Sequence, residues 1–162
     1  MLLGIDPGLA TTGFAVLNCA QRKLKLLDCG IITTSPHESL AARLKELDNS
    51  LHEIIISYSI KHAAVEKLYF NKNIKTCLLV AHCRGVILNQ LAMANINIYE
   101  YTPREIKKAV SGNGNAPKQT VQLMIGKILN LSKIIEPDDA ADSVAAAVCL
   151  SNELEKAKCM NI

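Results

Sequence analysis

The stretch Leu2-Leu3-Gly4-Ile5-Asp6-Pro7-Gly8 decides the fold predicted for this chain. Its apolar side chains at positions 2, 3 and 5 are typical of a buried strand, and Pro7-Gly8 is a typical turn pair. Two further strand-like runs, residues 13–17 and 24–33, follow across short connections. Because short connections join antiparallel neighbours, these residues predict an antiparallel meander of three strands.

Beyond the meander, the sequence alternates between helix and strand patterns. Ser35-Pro36-His37-Glu38 has the hydroxyl, proline and glutamate that are typical of a helix start, and the apolar stripe that follows runs to Tyr58. Residues 62–66 and 96–99 predict two short strands. Further helices are predicted over residues 74–94, over residues 102–110, from residue 117 onward and over residues 138–154.

Strands that alternate with helices pair in parallel through crossover helices. The chain therefore predicts an α/β fold with a mixed five-stranded sheet, in which three antiparallel strands are followed by two parallel ones, with helices on both faces. The length of 162 residues and the 49% of apolar residues suit one domain over residues 1–162. No run approaches the ~18 uninterrupted apolar residues of a membrane span.

Four carboxylates stand at the ends of predicted elements. Asp6 and Glu66 each end a strand, whereas Asp139 and Asp142 share one face at the start of the last helix. Clustered carboxylates repel one another unless cations neutralise them, and their hard oxygens suit Mg²⁺ or Mn²⁺. Each acid also has a simpler interpretation, as a turn residue, a strand-end charge or a helix cap, and spacing alone does not bring them together.

The net charge of +3 conceals an uneven distribution. Residues 1–66 carry a net charge of −1, residues 67–133 a net charge of +8, and residues 134–162 a net charge of −4. A basic central stretch is typical of a protein that binds a polyanion, although a solvated lysine-rich surface would give the same pattern.

Five motifs in this order resemble the RuvC-type Holliday junction resolvases, bacterial endonucleases with a ribonuclease H-like fold. They are Leu3-Gly4-Ile5-Asp6-Pro7-Gly8 with Thr12-Gly13, Val65-Glu66-Lys67-Leu68-Tyr69-Phe70 with Lys72-Asn73, Arg84-Gly85-Val86, Gly112-Asn113-Gly114-Asn115-Ala116 with Lys118-Gln119 and Val121, and Asp139-Ala140-Ala141-Asp142-Ser143. Each motif is weak alone, but together they cover nearly the whole chain.

The resemblance implies that four acids are both catalytic residues and metal ligands: Asp6, Glu66, Asp139 and Asp142. It implies Mg²⁺ as the cofactor, with two ions per subunit when substrate is bound and with Mn²⁺ as a substitute. Asp138 is interpreted as a helix cap or an outer neighbour. Because Asp138 is four residues from Asp142, a position facing the metals stays open.

The resemblance also implies contacts with DNA. An aromatic residue after Glu66 would stack on an unpaired base at the crossover, and basic residues would hold phosphates without reading sequence. The residues concerned are Tyr69, Phe70, Lys72, Arg104, Lys107, Lys108 and Lys118. Core packing for Phe70 and plain solvation for Lys72 and Lys108 remain alternatives.

By resemblance, the protein is a cytoplasmic bacterial enzyme that resolves four-way junctions by paired symmetric nicks, leaving a 5′-phosphate and a 3′-hydroxyl. It would act as a homodimer, joined through residues 74–91, with RuvA and RuvB as partners and no membrane. Two alternatives stay open, a ribonuclease H-like RNA-processing nuclease and a non-catalytic junction-binding protein. A sugar-kinase-like phosphotransferase is disfavoured, because the chain is about one lobe long and has no G-x-x-x-x-G-K-[ST] loop.

Overall fold

The computed structural model describes residues 1–20, 23–68 and 74–160. Its five strands are β1 (Leu2–Asp6), β2 (Thr11–Ala20), β3 (Lys23–Thr33), β4 (His62–Glu66) and β5 (Asn97–Tyr101). They form one sheet in the order β3-β2-β1-β4-β5, in which β1, β2 and β3 pair antiparallel and β4 and β5 join in parallel. The predicted mixed sheet is confirmed.

Helices cover both faces of this sheet, as the sequence predicts. They are α1 (Leu40–Tyr58), α2 (Ile74–Met93), α3 (Pro103–Ser111), α4 (Lys118–Ile128) and α5 (Asp138–Met160). On one face, Leu3 and Ile5 of β1 pack with buried residues of α1 and α2. On the other face, Leu2 of the same strand packs with α3, α4 and the alanine-rich α5. Because side chains alternate along a strand, β1 supplies both cores.

Two glycines allow the backbone of α5 to lie directly on the sheet. A Cβ atom on Gly4 would stand 2.0 Å from the carbonyl oxygen of Ser143, and one on Gly13 would stand 2.0 Å from that of Asp139. Real Cβ atoms do not approach backbone oxygens this closely, so any side chain would displace the helix. The two glycines thus fix the height of α5 above β1 and β2.

Several element boundaries differ from the prediction. The predicted cap at Ser35 is wrong, because α1 begins at Leu40 and the Ser39 side chain accepts the Ala42 N–H at 3.2 Å. Ser35 instead belongs to a turn, in which its carbonyl accepts the Glu38 N–H. The fifth strand begins at Asn97 and extends to Tyr101, and α5 continues to Met160.

The helix α2 is apolar in sequence and largely exposed in the structure. Its segment Thr76–Met93 is long and apolar enough to cross a membrane by length and composition alone, and 22% of that segment is buried. Leu78 is 57% exposed. Near the middle of the segment, however, the Arg84 guanidinium pairs with the Glu100 carboxylate of β5, which ties the helix to the edge of the sheet.

Candidate active site

The first two carboxylates meet because their strands are parallel neighbours. In the register of β1 and β4, Ile5 lies opposite Val65, so Asp6 and Glu66 follow at the same end of adjacent strands. Both carboxyl groups are largely withdrawn from water by the surrounding elements. The sheet alone therefore places two acids, 60 residues apart in sequence, side by side at one edge.

The start of α5 adds the other two acids. Gly13 lies opposite Asp6 in the register of β1 and β2, and the Asp139 carbonyl rests directly on Gly13. Asp142 lies about one helical turn further along. The electrostatic influence of Asp142 and Asp139 on Asp6 shows that the acids predicted from sequence lie within range of one another.

The carboxylates disturb one another as clustered acids should. Burial, followed by the negative charges of Glu66, Asp142 and Asp139, raises the pKa of Asp6 to about 8, although Lys118 opposes this change. Burial and the charge of Asp142 likewise raise the pKa of Glu66 to about 7, against the effect of nearby lysines. In the absence of a cation, both groups therefore retain protons at pH values where exposed carboxyls are ionised.

Lys118 supplies a positive charge within the cluster. Its ammonium donates a hydrogen bond to Asp142 Oδ2 at 2.8 Å and lies 3.3 Å from Asp138 Oδ2. Burial disfavours the charged amine, but the hydrogen bonds and charges of Asp142 and Asp138 prevail and raise the pKa of Lys118. Gln122, one turn further along α4, donates to Asp138 Oδ1 at 3.0 Å. Asp138 thus contacts α4 at the rim of the site.

A cleft of about 270 Å³ opens beside these groups. Its charged lining residues are Glu66, Asp142, Lys107 and Lys118, and apolar residues of α3, α4 and α5 complete its wall. Lys107 also lowers the pKa of Glu66, as a neighbouring cation should. Two lysines predicted to contact DNA are therefore adjacent to the predicted catalytic acids, where an incoming phosphate would meet them.

The other predicted DNA contacts are less central. Arg104 packs against Gly114 of the loop between α3 and α4, where a Cβ atom would stand 2.7 Å from the Arg104 Cγ. Lys108 lines a separate groove with Asn152 and Lys156, between α3 and the far half of α5. Tyr69, Phe70 and Lys72 lie outside the described residues, so their predicted roles stay predictions.

The donor set fits a hard divalent cation by its chemistry, because carboxylate oxygens are the ligands that Mg²⁺ and Mn²⁺ prefer. As the side chains stand, no three His, Cys, Asp or Glu residues within residues 1–20, 23–68 and 74–160 are grouped closely enough to hold an ion. The Asp142 carboxylate accepts a hydrogen bond from the Lys118 ammonium in this arrangement. Burial, together with neighbouring carboxylates, raises the pKa values of Asp6 and Glu66, so both groups favour their protonated forms without a cation.

Sequence reasoning missed a clamp on the turn that follows Asp6. The Arg43 guanidinium of α1 donates to Thr34 Oγ1 at 2.9 Å and to the Leu9 carbonyl at 3.2 Å, and the Thr34 N–H donates to the Ala10 carbonyl. These bonds fix the connection between β1 and β2 from the α1 side. Since the partners are up to 34 residues apart, no local pattern could reveal the clamp.

Sequence reasoning also missed the contact between Gln122 and Asp138. The i, i+4 spacing of Lys118 and Gln122 on one face of the predicted fourth helix was the available signal.

Comparison with known proteins gives consistent matches along nearly the whole chain. A family model described as "Crossover junction endodeoxyribonuclease RuvC" matches residues 2–150. A curated protein of that description from Alkaliphilus oremlandii is 44% identical over 149 residues, covering 92% of this chain and 91% of that protein. Another, from Roseiflexus sp., is 46% identical over 147 residues, covering 91% and 88%. The solved structure of Thermus thermophilus RuvC in complex with Holliday junction substrate superposes with a TM-score of 0.91 at 28% identity, covering 96% and 95% of the two chains.

Proposed function

This chain belongs to the RuvC family of crossover junction endodeoxyribonucleases, and from that premise we propose that it resolves four-way DNA junctions by metal-dependent hydrolysis of phosphodiester bonds. One observation carries the proposal: the sheet and α5 place carboxylates from three separate elements at one edge, beside a cleft lined with lysines. The proposed catalytic residues and metal ligands are Asp6, Glu66, Asp139 and Asp142.

In the proposed mechanism, these four acids would hold Mg²⁺, two ions per subunit with substrate present and with Mn²⁺ as a substitute. The bound metal would supply Lewis-acid chemistry, for the activation of water and for the charge on the leaving oxygen. The protein positions the scissile phosphate. Lys107 and Lys118 at the cleft attract the DNA backbone, and the rigid ends of β1 and β4 hold Asp6 and Glu66 in place. The products would carry a 5′-phosphate and a 3′-hydroxyl.

Two strands must be cut, and each chain offers one such site. We therefore propose a homodimer, because a two-fold pair of chains presents two equivalent sites to a junction of similar symmetry. The exposed apolar side chains of α2, including Leu78 and Leu79, support an interface on that helix. We also propose RuvA and RuvB as partner proteins and a cytoplasmic location, because the similar proteins are bacterial.

The proposal is tested by incubating the wild type and Asp6→Asn with a labelled four-way junction, a linear duplex and an RNA–DNA hybrid, with and without Mg²⁺. We expect paired nicks in the junction alone, lost in Asp6→Asn while junction binding survives. Asp48→Asn makes the same substitution on α1, in a groove away from the cleft, and should leave nicking unchanged.

Two outcomes would contradict the proposal. Tight junction binding without nicking by the wild type, in either Mg²⁺ or Mn²⁺, would identify a non-catalytic junction-binding protein. Cleavage of the RNA–DNA hybrid in preference to the junction would identify an RNA-processing nuclease.

A further inference from the structure

A further cavity lies between α4 and the start of α5. It measures about 310 Å³ and is enclosed by α4, by residues 130–135 and by Ala141 of α5. We call it the α4 cavity; the lining residues that matter here are Gln122, Leu123, Gly126, Lys127, Lys133 and Ile134. It shares no lining residue with the cleft that holds Glu66 and Asp142, so it is a separate feature of the surface.

The lining of the α4 cavity suits the binding of an apolar side chain. Leu123 is 56% exposed and Ile134 is 66% exposed, so two large apolar side chains flank it in contact with water. A Cβ atom on Gly126 would find no other atom within 4 Å, which shows that this part of the lining faces open space. Concave apolar sites with exposed apolar rims are typical of binding surfaces.

The charges around the α4 cavity define what it would bind. Lys127 and Lys133 are both exposed, and the described residues that line the cavity include no acidic side chain. Their charge complements carboxylates. A nucleic-acid backbone would satisfy the lysines but would leave Leu123 and Ile134 against a charged surface. An acidic peptide with one large apolar side chain would satisfy both the lysines and the apolar rim.

The α4 cavity also adjoins the site already described. Gln122 lines it and donates to Asp138, which in turn contacts the Lys118 ammonium that holds Asp142. Ala141, at the inner wall, lies between the two proposed catalytic aspartates of α5. A molecule bound there would touch the turn of helix that carries the catalytic acids.

We propose that the α4 cavity docks a partner protein through an acidic segment that inserts one bulky apolar side chain between Leu123 and Ile134 and pairs its carboxylates with Lys127 and Lys133. The proposal does not rest on the nicking activity, so peptide binding can be tested whether or not the protein cuts junctions.

The test measures fluorescence anisotropy of a short labelled peptide, made of Asp and Glu residues around one Phe, titrated with the full-length protein. We expect saturable binding that weakens by at least about tenfold, equivalent to about 1.4 kcal/mol, when Phe is replaced by Ser or when the acidic residues are replaced by Lys. Three variants of the protein alter the α4 cavity. Gly126→Leu fills it, and Ile134→Asp places an acidic side chain at its edge. The double variant Lys127→Glu, Lys133→Glu reverses the charge of its two lysines. Each should weaken binding by a similar factor.

Matched controls separate the cavity from the surface at large. Ile56→Asp alters an α1 side chain that is 64% exposed, and Lys45→Glu alters an exposed lysine of the same helix; both should leave peptide binding unchanged. Thermal unfolding of each variant checks its folding, and if Gly126→Leu does not fold, the rim and charge variants decide the question.

Three results would overturn the proposal. The first is the absence of peptide binding at protein concentrations up to about 1 mM. The second is binding that the cavity variants and the controls weaken equally. The third is binding of duplex DNA at the α4 cavity, shown by loss of DNA affinity in Ile134→Asp together with displacement of the peptide.

Discussion

Asp6 and Glu66 are carboxyl groups in a position where ionisation is costly without a cation. Burial is the larger cause for both, and neighbouring carboxylates add to it. The same arrangement that would bind a metal tightly therefore opposes the stability of the metal-free protein as the pH rises.

The first prediction concerns this dependence on pH. The folded-state pKa values of Asp6 and Glu66, about 8 and about 7, lie above the ordinary values of 3.8 and 4.5, so the folded protein retains protons that the unfolded chain has lost. The stabilising contribution of the protonated groups is complete below the unfolded pKa values and is lost as the pH rises through the folded ones. The free energy of unfolding, measured with urea in the presence of EDTA, should therefore fall between about pH 5 and about pH 8.

Asp6→Asn should reduce that fall and should raise the stability of the metal-free protein at pH 8 by on the order of 1 kcal/mol or more. Asp48→Asn should keep the slope of the wild type. An unchanged slope in Asp6→Asn would show that the burial of this carboxyl has no consequence for stability.

The second prediction concerns Lys118. Lys118→Met removes the cation that holds Asp142 and lies near Asp138, so the metal-free protein should lose up to about 1 kcal/mol of stability, a modest loss because the side chain is partly exposed to screening solvent. Affinity for Mn²⁺, measured by calorimetry, should increase because no ammonium competes for the carboxylate. Junction nicking should nevertheless decrease, since the cleft loses the phosphate contact proposed for Lys118.

Lys45→Met, on the surface of α1, should change none of these three quantities. Weaker Mn²⁺ binding in Lys118→Met would contradict competition between the ammonium and the metal.

At this scale, the sequence predicts the positions of the acids at strand ends better than it predicts their surroundings. Asp6 and Glu66 follow apolar runs, so their places at strand ends are local facts. The bond between Lys118 and Asp142 joins residues 24 positions apart and depends on how α4 packs against α5. No periodicity in either helix contains that information.

At the scale of elements, the backbone of α5 packs directly against the strands of the meander. Gly13 supports the start of the helix directly, whereas Gly126 on α4 faces open space. Gly13 therefore leaves no room for a side chain, whereas Gly126 does.

The third prediction follows from that contrast. Gly13→Ala places a Cβ atom 2.0 Å from the Asp139 carbonyl, so α5 must shift away from the sheet. Stability should fall by about 1 to 3 kcal/mol in urea unfolding, as for other overpacked sites. Junction nicking should fall more than stability explains, because Asp139 and Asp142 move with the helix.

Gly126→Ala is the matched control. It adds the same methyl group where no atom lies within 4 Å, and it should stabilise α4 by about 0.5 to 1 kcal/mol without loss of nicking. Equal behaviour of the two variants would mean that close packing of α5 does not position the acids.

Element boundaries show where local reasoning fails. The helix predicted from residue 102 begins where expected, and the Thr102–Glu105 pair forms a capping box at the start of α3. The serine at position 35 had equally suitable neighbours, yet the cap of α1 is Ser39. A Ser-Pro pair satisfies the rules for a helix start and those for a turn alike, and the path from the end of β3 decides between them.

At the scale of the whole molecule, the exposed apolar side chains of α2 support the proposed homodimer. Arg84 ties the helix to Glu100 on one side, while Leu78 and Leu79 face solvent on the other. Exposed large apolar residues in a row are typical of an interface between chains.

The fourth prediction tests that interface. Leu78→Asp should convert the dimer to a monomer in light scattering and should abolish paired nicking, because two sites no longer act on one junction. Ile56→Asp, at a similarly exposed position of α1, should leave the dimer intact. A wild type that is monomeric at micromolar concentration would contradict the proposed homodimer. A dimer that Leu78→Asp does not affect would place its contact elsewhere.

The sheet order at this scale was predictable, because antiparallel meanders and parallel crossovers leave few arrangements open. The close approach of α5 to β1 and β2 was harder to predict. The alanines of α5 indicate that something approaches closely, but only the positions of Gly4 and Gly13 on the facing strands show what that is.

The ammonium of Lys118 has one more consequence, for the life of the chain before it meets metal. Because the Lys118 ammonium already offsets part of the acidic charge, we expect a newly made chain to complete its fold before it binds any divalent ion. If the proposed metal site is right, the metal-free chain is then a folded state that can take up its divalent ion afterwards.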